Sequence, residues 1–187
     1  MLAPVEATSI AALEAAVAHL LAAPLDAGRV ELVVARPERG TRAGLDQATL
    51  DPTLGLVGDC WLARGSRHTP DGAASPLMQL TFMNARVAEA VAGSRERWPL
   101  AGDQIYVDLD LGVDNLPPGT RLGVGTAEVE ITAQPHTGCA KFADRFGIDA
   151  ARFVNSSVGR AHRFRGANAR VVAGGIVRPG DVVAKLG

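Results

Sequence analysis

The stretch QIYVDLDLGVDNLPPGTRLGVGTAEVEITA, residues 104–133, decides the fold class. Its first eight residues, Gln104–Leu111, alternate apolar and polar side chains, the period of a strand with one buried face. Pro118-Gly119 then supplies a turn. Two further short strands follow it, RLGV and AEVEITA, joined through Gly125. Three β-segments within thirty residues, punctuated by Gly and Pro, point to an antiparallel β architecture.

The flanks extend the same pattern. Upstream, Arg29–Ala35 (RVELVVA) reads as a buried strand, followed by the Arg-, Pro- and Gly-rich loop RPERGTRAG at 36–44. Residues 76–92 change period midway: PLMQLTF alternates like a strand, and Asn84 starts the short helix NARVAEAVAG, closed by Gly93. Downstream, residues 140–158 read as helix in two pieces. Gly166–Val172 and Asp181–Leu186 read as final strands, with Arg178-Pro179-Gly180 turning between them. At the start, residues 8–23 form an amphipathic helix capped by Thr8 or Ser9 and stopped by Pro24. The fold class is therefore mainly β, a β-barrel with inserted helices and α+β overall. Two packed sheets are the alternative. Residues 1–28 read as an N-terminal helical extension packed on the barrel, and residues 29–187 as the barrel domain.

Composition narrows the function. The chain has 187 residues, 47% hydrophobic and 21% charged, which excludes a disordered chain and suffices for a real core. A net charge of −1 argues against polyanion binding by the whole molecule. Two cysteines, Cys60 and Cys139, are too few for a disulfide framework and suit a reducing cytoplasm. No stretch reads as an export signal or a membrane span. Residues 1–139 carry net −7 and residues 140–187 net +6, an asymmetry that suggests an anion site in the last quarter. The phosphate-loop, dinucleotide and HExxH patterns are absent, and His19, His68, His136 and His162 are too scattered for a structural zinc.

The segment QPHTGCAKFADRFG, residues 134–147, carries the chemistry. Gly138 lets the backbone bring Cys139 close to another group. His136, Lys141 and Arg145 lie within a few residues of the thiol, and positive neighbours stabilise a thiolate, the form that acts as nucleophile and soft metal ligand. Lys141 and Arg145 lie one turn apart if they share a helix. Cys60, beside Trp61, reads instead as a packing residue. In GRAHRFRGANAR, residues 159–170, strand alternation would put Arg163 and Arg165 on one face. Arg165 and Arg170, with Asn168, are candidates to bind phosphate oxygens. Only Phe164 interleaves, so a small phosphorylated ligand is expected and no nucleic acid.

Several separated blocks resemble the molybdenum cofactor sulfurase C-terminal (MOSC) domain. They are GLVGDCW (55–61), LTFMNARVAEAVAG (80–93), AGDQIYVDLDLGVDNLPPGTRLGVGTAEVEIT (101–132), PHTGCAKFADRFG (135–147) and RGANARVVAGGIVRPGD (165–181). The resemblance implies a β-barrel of the pyruvate-kinase type, a molybdopterin-type cofactor and one functional cysteine, which falls on Cys139. That thiol would carry sulfur as a persulfide or ligate molybdenum, in sulfur transfer or in reduction of N-hydroxylated compounds. A sulfur donor or an electron-transfer protein is the partner such chemistry implies; a membrane is not. Asp59, Asn84, Arg86 and Asp103 join His136, Lys141, Arg145, Arg165, Asn168 and Arg170 as candidate cofactor contacts. The pattern GLxGD followed by a basic residue or His becomes GLVGDCW here. Pyridoxal phosphate, which full-length sulfurases bind in a separate desulfurase domain, is not expected in a chain with two lysines. A non-catalytic cofactor carrier and a barrel with an incidental cysteine are the alternatives.

Overall fold

The computed structural model describes residues 7–66 and 69–187; His68, one of the four histidines, and the first six residues of the N-terminal segment lie outside the described residues. Helix α1 (Ile10–Leu21) comes first, with Ser9 accepting from the Ala12 N–H at its N-terminus. Strand β1 (Ala27–Ala35) is the longest strand and organises the rest. Along one edge it pairs with β6 (Ile105–Asp108). Along the other it pairs first with β11 (Val182–Lys185) through residues 27–29, then with β2 (Ala43–Leu45) through residues 33–35.

The β1–β11 pairing closes a barrel. From β6 the ring runs to β5 (Leu80–Asn84), β9 (Ala167–Ala173), β8 (Ala127–Ile131), β7 (Arg121–Val124) and β11, and so back to β1. Seven strands therefore form the closed ring, all neighbours antiparallel except β5 and β6. Closure removes the sheet edges and settles the choice against two packed sheets. A second, three-stranded sheet of β10 (Gly175–Val177), β3 (Ala48–Asp51) and β4 (Gly55–Leu56) lies outside the ring. Short segments and glycines hid β2, β3, β4 and β10 from the sequence pattern.

Period-two alternation sorts the strand residues into two cores. Val30, Val33, Leu80, Phe82, Ile105, Val107, Val129 and Ala169 belong to the barrel interior. Leu32, Val34, Met83 and Tyr106 point outward, under a layer of helices. That layer comprises α1, α3 (Ala85–Ala92), α4 (Ala140–Phe146) and α5 (Ile148–Val154), followed by α6 (Ser157–Ala161). The 140–158 region thus holds three short helices where the sequence suggested two. Asn84 caps α3 as expected, accepting from the N–H groups of Arg86 and Val87, and Gly93 ends it in the left-handed region. The apparent strand PLMQLTF begins as a single 3₁₀ turn at Pro76–Met78 and becomes extended only at Leu80. Tyr106, fully buried, donates its hydroxyl to the Trp98 carbonyl at 2.6 Å and so ties the barrel wall to the 3₁₀ segment Arg95–Ala101.

Gly28 sits where β1 passes between β11 and β6. A Cβ there would lie 1.9 Å from the Asp108 carbonyl oxygen, a backbone atom that cannot step aside. Gly28→Ala should destabilise the barrel by about 3 kcal/mol, the upper end of overpacking costs. Urea unfolding would show this as a lower midpoint at unchanged slope. An unshifted midpoint would mean that the crossing is not tight.

Candidate functional site

Arg36 follows the last residue of β1 and turns back into the protein, 6% exposed. Its Nε and Nη2 donate to the two carboxylate oxygens of Asp59 at 2.8 and 2.9 Å, and its backbone N–H donates to the same carboxylate at 2.9 Å. Nη1 donates to the Gly102 carbonyl at 3.2 Å. Asp59 also accepts from the Trp61 N–H, at the start of the four-residue helix α2 (Trp61–Arg64). The Cys60 N–H donates to the Arg36 carbonyl at 2.8 Å. One ion pair thus pins three segments together: the end of β1, the GLVGD turn and the approach to β6. Asp59 is consumed in this framework rather than presented to a ligand.

Over that framework opens a cleft of about 490 Å³. Among the described residues, Arg36, Arg39, Arg42, Arg64, Lys141 and Arg145 line it, opposed by Glu38 and Asp144, with Cys60 and Cys139 on its walls. Among the described residues, Arg39, Arg42, Arg64, Lys141 and Arg145 have no ion-pair partner. Burial, then the neighbouring Arg145 and Arg36, lowers the pKa of Arg42, whose buried Nε has no hydrogen-bond partner. Burial and Arg36 lower that of Arg64. Burial first, and like charge second, disfavour the charged forms of Arg42 and Arg64, in a cleft of net positive lining.

Cys139 is exposed and lies at the end of the loop that leads from β8 into α4. The loop is clamped from α5: the Gly138 N–H donates to Asn155 Oδ1 and Asn155 Nδ2 donates to the Gly138 carbonyl, both at 2.9 Å. A Cβ on Gly138 would lie 2.9 Å from Val154, so the close approach that this glycine allows is to α5. Lys141 and Arg145 share α4 and both line the cleft. Cys60, read from sequence as a packing residue, is only half-buried and shares the cleft with Cys139.

Beneath lies a buried polar cluster. Asp103, fully buried, accepts from Arg165 Nη1 at 2.6 Å, and Arg165 Nη2 donates to the Ala101 carbonyl at 2.8 Å. The guanidinium of Arg165 also lies over the Phe142 ring. His136 Nδ1 faces Asp103 Oδ1 at 3.4 Å. Burial, then Arg165 and Arg36, holds the His136 pKa well below its usual 6.5, so the imidazole is neutral at pH 7. Asn168 donates to the Gln134 carbonyl and holds the start of the cysteine loop. His136, Arg165, Asp103 and Asn168 therefore form one cluster, but as the support of the loop rather than as cleft lining.

The remaining sequence candidates lie elsewhere. Arg170 is half-exposed and pairs with Glu130 beside a separate surface hollow. Asn84 caps α3 and donates to the Leu109 carbonyl, while Arg86 pairs with Asp108 and donates to the His19 carbonyl. Arg163 and Arg165 share no strand face, because β9 starts only at Ala167. Arg163 occupies the left-handed region (φ 45°) and its guanidinium donates to the Leu111 and Leu116 carbonyls. Phe164 is buried in the helical layer and stacks on Phe153. The basic cleft draws most of its positive side chains from residues 36–64, not from the last quarter of the chain. The arginines of RPERGTRAG were its visible signal.

The site is thus a closed barrel end with an exposed cysteine beside a basic cleft. The MOSC domain model matches residues 76–184, more than half of the chain, and the chain belongs to the MOSC domain family. That family is associated with the molybdenum cofactor. Among solved structures the chain is similar to the YuaD protein from Bacillus subtilis, at 14% identity and TM-score 0.59, over 84% of this chain and 94% of that one. It is also similar to YiiM from Escherichia coli, at 20% identity and TM-score 0.55, over 85% of this chain and 70% of that one. Both likenesses bear on the fold. No curated protein matches the chain.

The neutral His136 makes stability depend on pH. As pH falls through 6.5 the unfolded imidazole takes up a proton and the folded one does not. Stability is therefore full above that value and declines below it. Asp103, whose pKa burial raises against the pull of Arg165, acts in the opposite sense nearer its own range. Urea midpoints compared at about pH 7.5 and about pH 5.5 should fall in the parent and fall less in His136→Asn, which has no proton to gain in this window. An equal drop in both would remove His136 as the cause.

Proposed function

We propose that the cleft holds a molybdopterin-type cofactor by its phosphate and that Cys139 is the thiol that carries sulfur, as a persulfide, or ligates the molybdenum. One observation carries this reading: an exposed thiol opens on a cleft lined, among the described residues, by six basic side chains and two acidic ones. The residues fit the group. Guanidinium forks match phosphate oxygens, the partnerless Nε of Arg42 supplies a buried donor, and a thiolate is a soft ligand for molybdenum or sulfur. Arg39, Arg42, Arg64 and Lys141 would hold the phosphate, while Arg36 and Arg145 keep their carbonyl partners and shape the floor. When bound, the cofactor supplies a thiophilic metal centre able to receive sulfur or electrons.

The chain's own residues do the rest. The Gly138–Asn155 clamp and the Asp103–His136–Arg165 cluster hold the cysteine loop against α5 and the barrel end, so the thiol needs little ordering when a ligand arrives. Basic side chains line the same cleft as the thiol. Residues 29–187 form the cofactor-binding unit, with α1 an extension packed on it. Two free thiols suit a reducing compartment such as the cytoplasm. Among the described residues no helix is long and apolar enough to cross a membrane.

Metal and pterin analysis of protein purified from cells that make the cofactor tests this reading. Arg39→Glu and Lys141→Glu, at side chains with no structural bond, should each lower bound pterin about tenfold or more, the effect of losing roughly 1.4 kcal/mol of binding. Thermal unfolding should stay unchanged. Cys139→Ser should abolish persulfide formation or lower molybdenum content with the same fold. Pterin content insensitive to both charge reversals would reject the phosphate site. Persulfide and metal content insensitive to Cys139→Ser would reject the thiol.

A further inference from the structure

The chain's two cysteines are far apart in sequence, yet both open on one cleft. Cys60 is fixed there by its N–H bond to the Arg36 carbonyl and by the ion pair of the preceding Asp59. It starts α2, whose four residues span only about 6 Å. At the far end of that helix, Arg64 and Gly65 flank Cys139 in the adjoining hollow, together with Lys141. Cys60 also interacts electrostatically with Arg64. Among the described residues no hydrogen bond holds either sulfur, and basic side chains line the cleft beside both.

We propose that Cys60 is a resolving thiol for sulfur carried on Cys139. The inference rests on the reading of Cys139 as a sulfur carrier and assigns the second partner of that same site. The Cys60 thiolate attacks Sγ of the Cys139 persulfide. The bond from that Sγ to the terminal sulfur breaks, an Sγ–Sγ disulfide forms, and the terminal sulfur leaves with its proton as hydrosulfide. The two cysteines are oxidised together by two electrons, and the sulfane sulfur takes those electrons and is released into the basic cleft as sulfide. An external dithiol, a small molecule or a protein, then reduces the disulfide and resets the pair. Bond formation asks the two Cα atoms to come within about 7 Å. Both thiols line the one cleft in which that approach would take place.

The full chain, reduced and then treated with inorganic tetrasulfide, reports the step by intact mass and by sulfide release. The parent should become two hydrogens lighter and release sulfide in step with that change. Cys60→Ser and Cys60→Ala should instead stay one sulfur atom heavier, with sulfide release lost, at unchanged thermal stability. Cys139→Ser should do neither. Persulfide as long-lived in the parent as in the Cys60 variants would overturn the resolving role while leaving Cys139 as the carrier. A parent that takes up no sulfur would overturn both. Phenylarsine oxide tests the thiol pairing independently of sulfur loading. Its arsenic bridges two nearby thiols with loss of water, so one equivalent should block both cysteines of the parent. Failure to bridge them would overturn the pair even where Cys139 loads with sulfur.

Discussion

The buried ion pair of Arg36 and Asp59 is the contact on which the cleft depends. Its geometry is bidentate, and the remaining donors of Arg36 reach a backbone carbonyl, so its buried charge is matched by partners. Removing one member of such a pair leaves an unpartnered buried charge and costs about 3–5 kcal/mol. Here the consequence is also positional. Asp59 is held by the end of β1, and the residue after it, Cys60, takes its place on the wall from that grip. Loosening it would release β1, the GLVGD turn and the 101–102 segment at once. The pair also neutralises the deepest cation of the cleft. The net positive charge left for a ligand comes from side chains nearer the surface.

The barrel was legible because its strands obey a simple rule. Residues 29–35 and 104–133 alternate or cluster as strand residues do, and Pro118-Gly119, Gly125 and Gly93 stand where turns or a helix end require them. Closure was harder to read. It rests on β1 meeting β11 along one edge and β6 along the other, and no local pattern announces which strand a strand will meet. The strands missed are two to four residues long, too short for a period to show.

Cys139 was legible for a different reason: Pro, His, Gly, Lys and Arg around a lone thiol make an unusual neighbourhood for a packing residue. The charge count misled. Nine basic residues follow Cys139, yet Arg165 is spent on Asp103, Arg163 on two carbonyls and Arg170 on Glu130. A run of arginine predicts an anion site only where the carboxylates and carbonyls lie out of reach, and reach is a tertiary property. In the loop 36–44, Arg39 and Arg42 have no ion-pair partner among the described residues, because the cleft they line holds few carboxylates.

The same bookkeeping explains why the cleft has to be costly to be useful. Arg42 and Arg64 sit where burial and like charge both disfavour the protonated guanidinium, yet a guanidinium cannot lose its proton near neutral pH. The repulsion is therefore stored in the fold rather than relieved by titration. An anion entering the cleft relieves it without any large reorganisation, because the side chains are already placed and Arg42 already has a buried, partnerless donor. In the proposed site a phosphate would therefore meet side chains already placed for it, and Cys139 would share the same positive field.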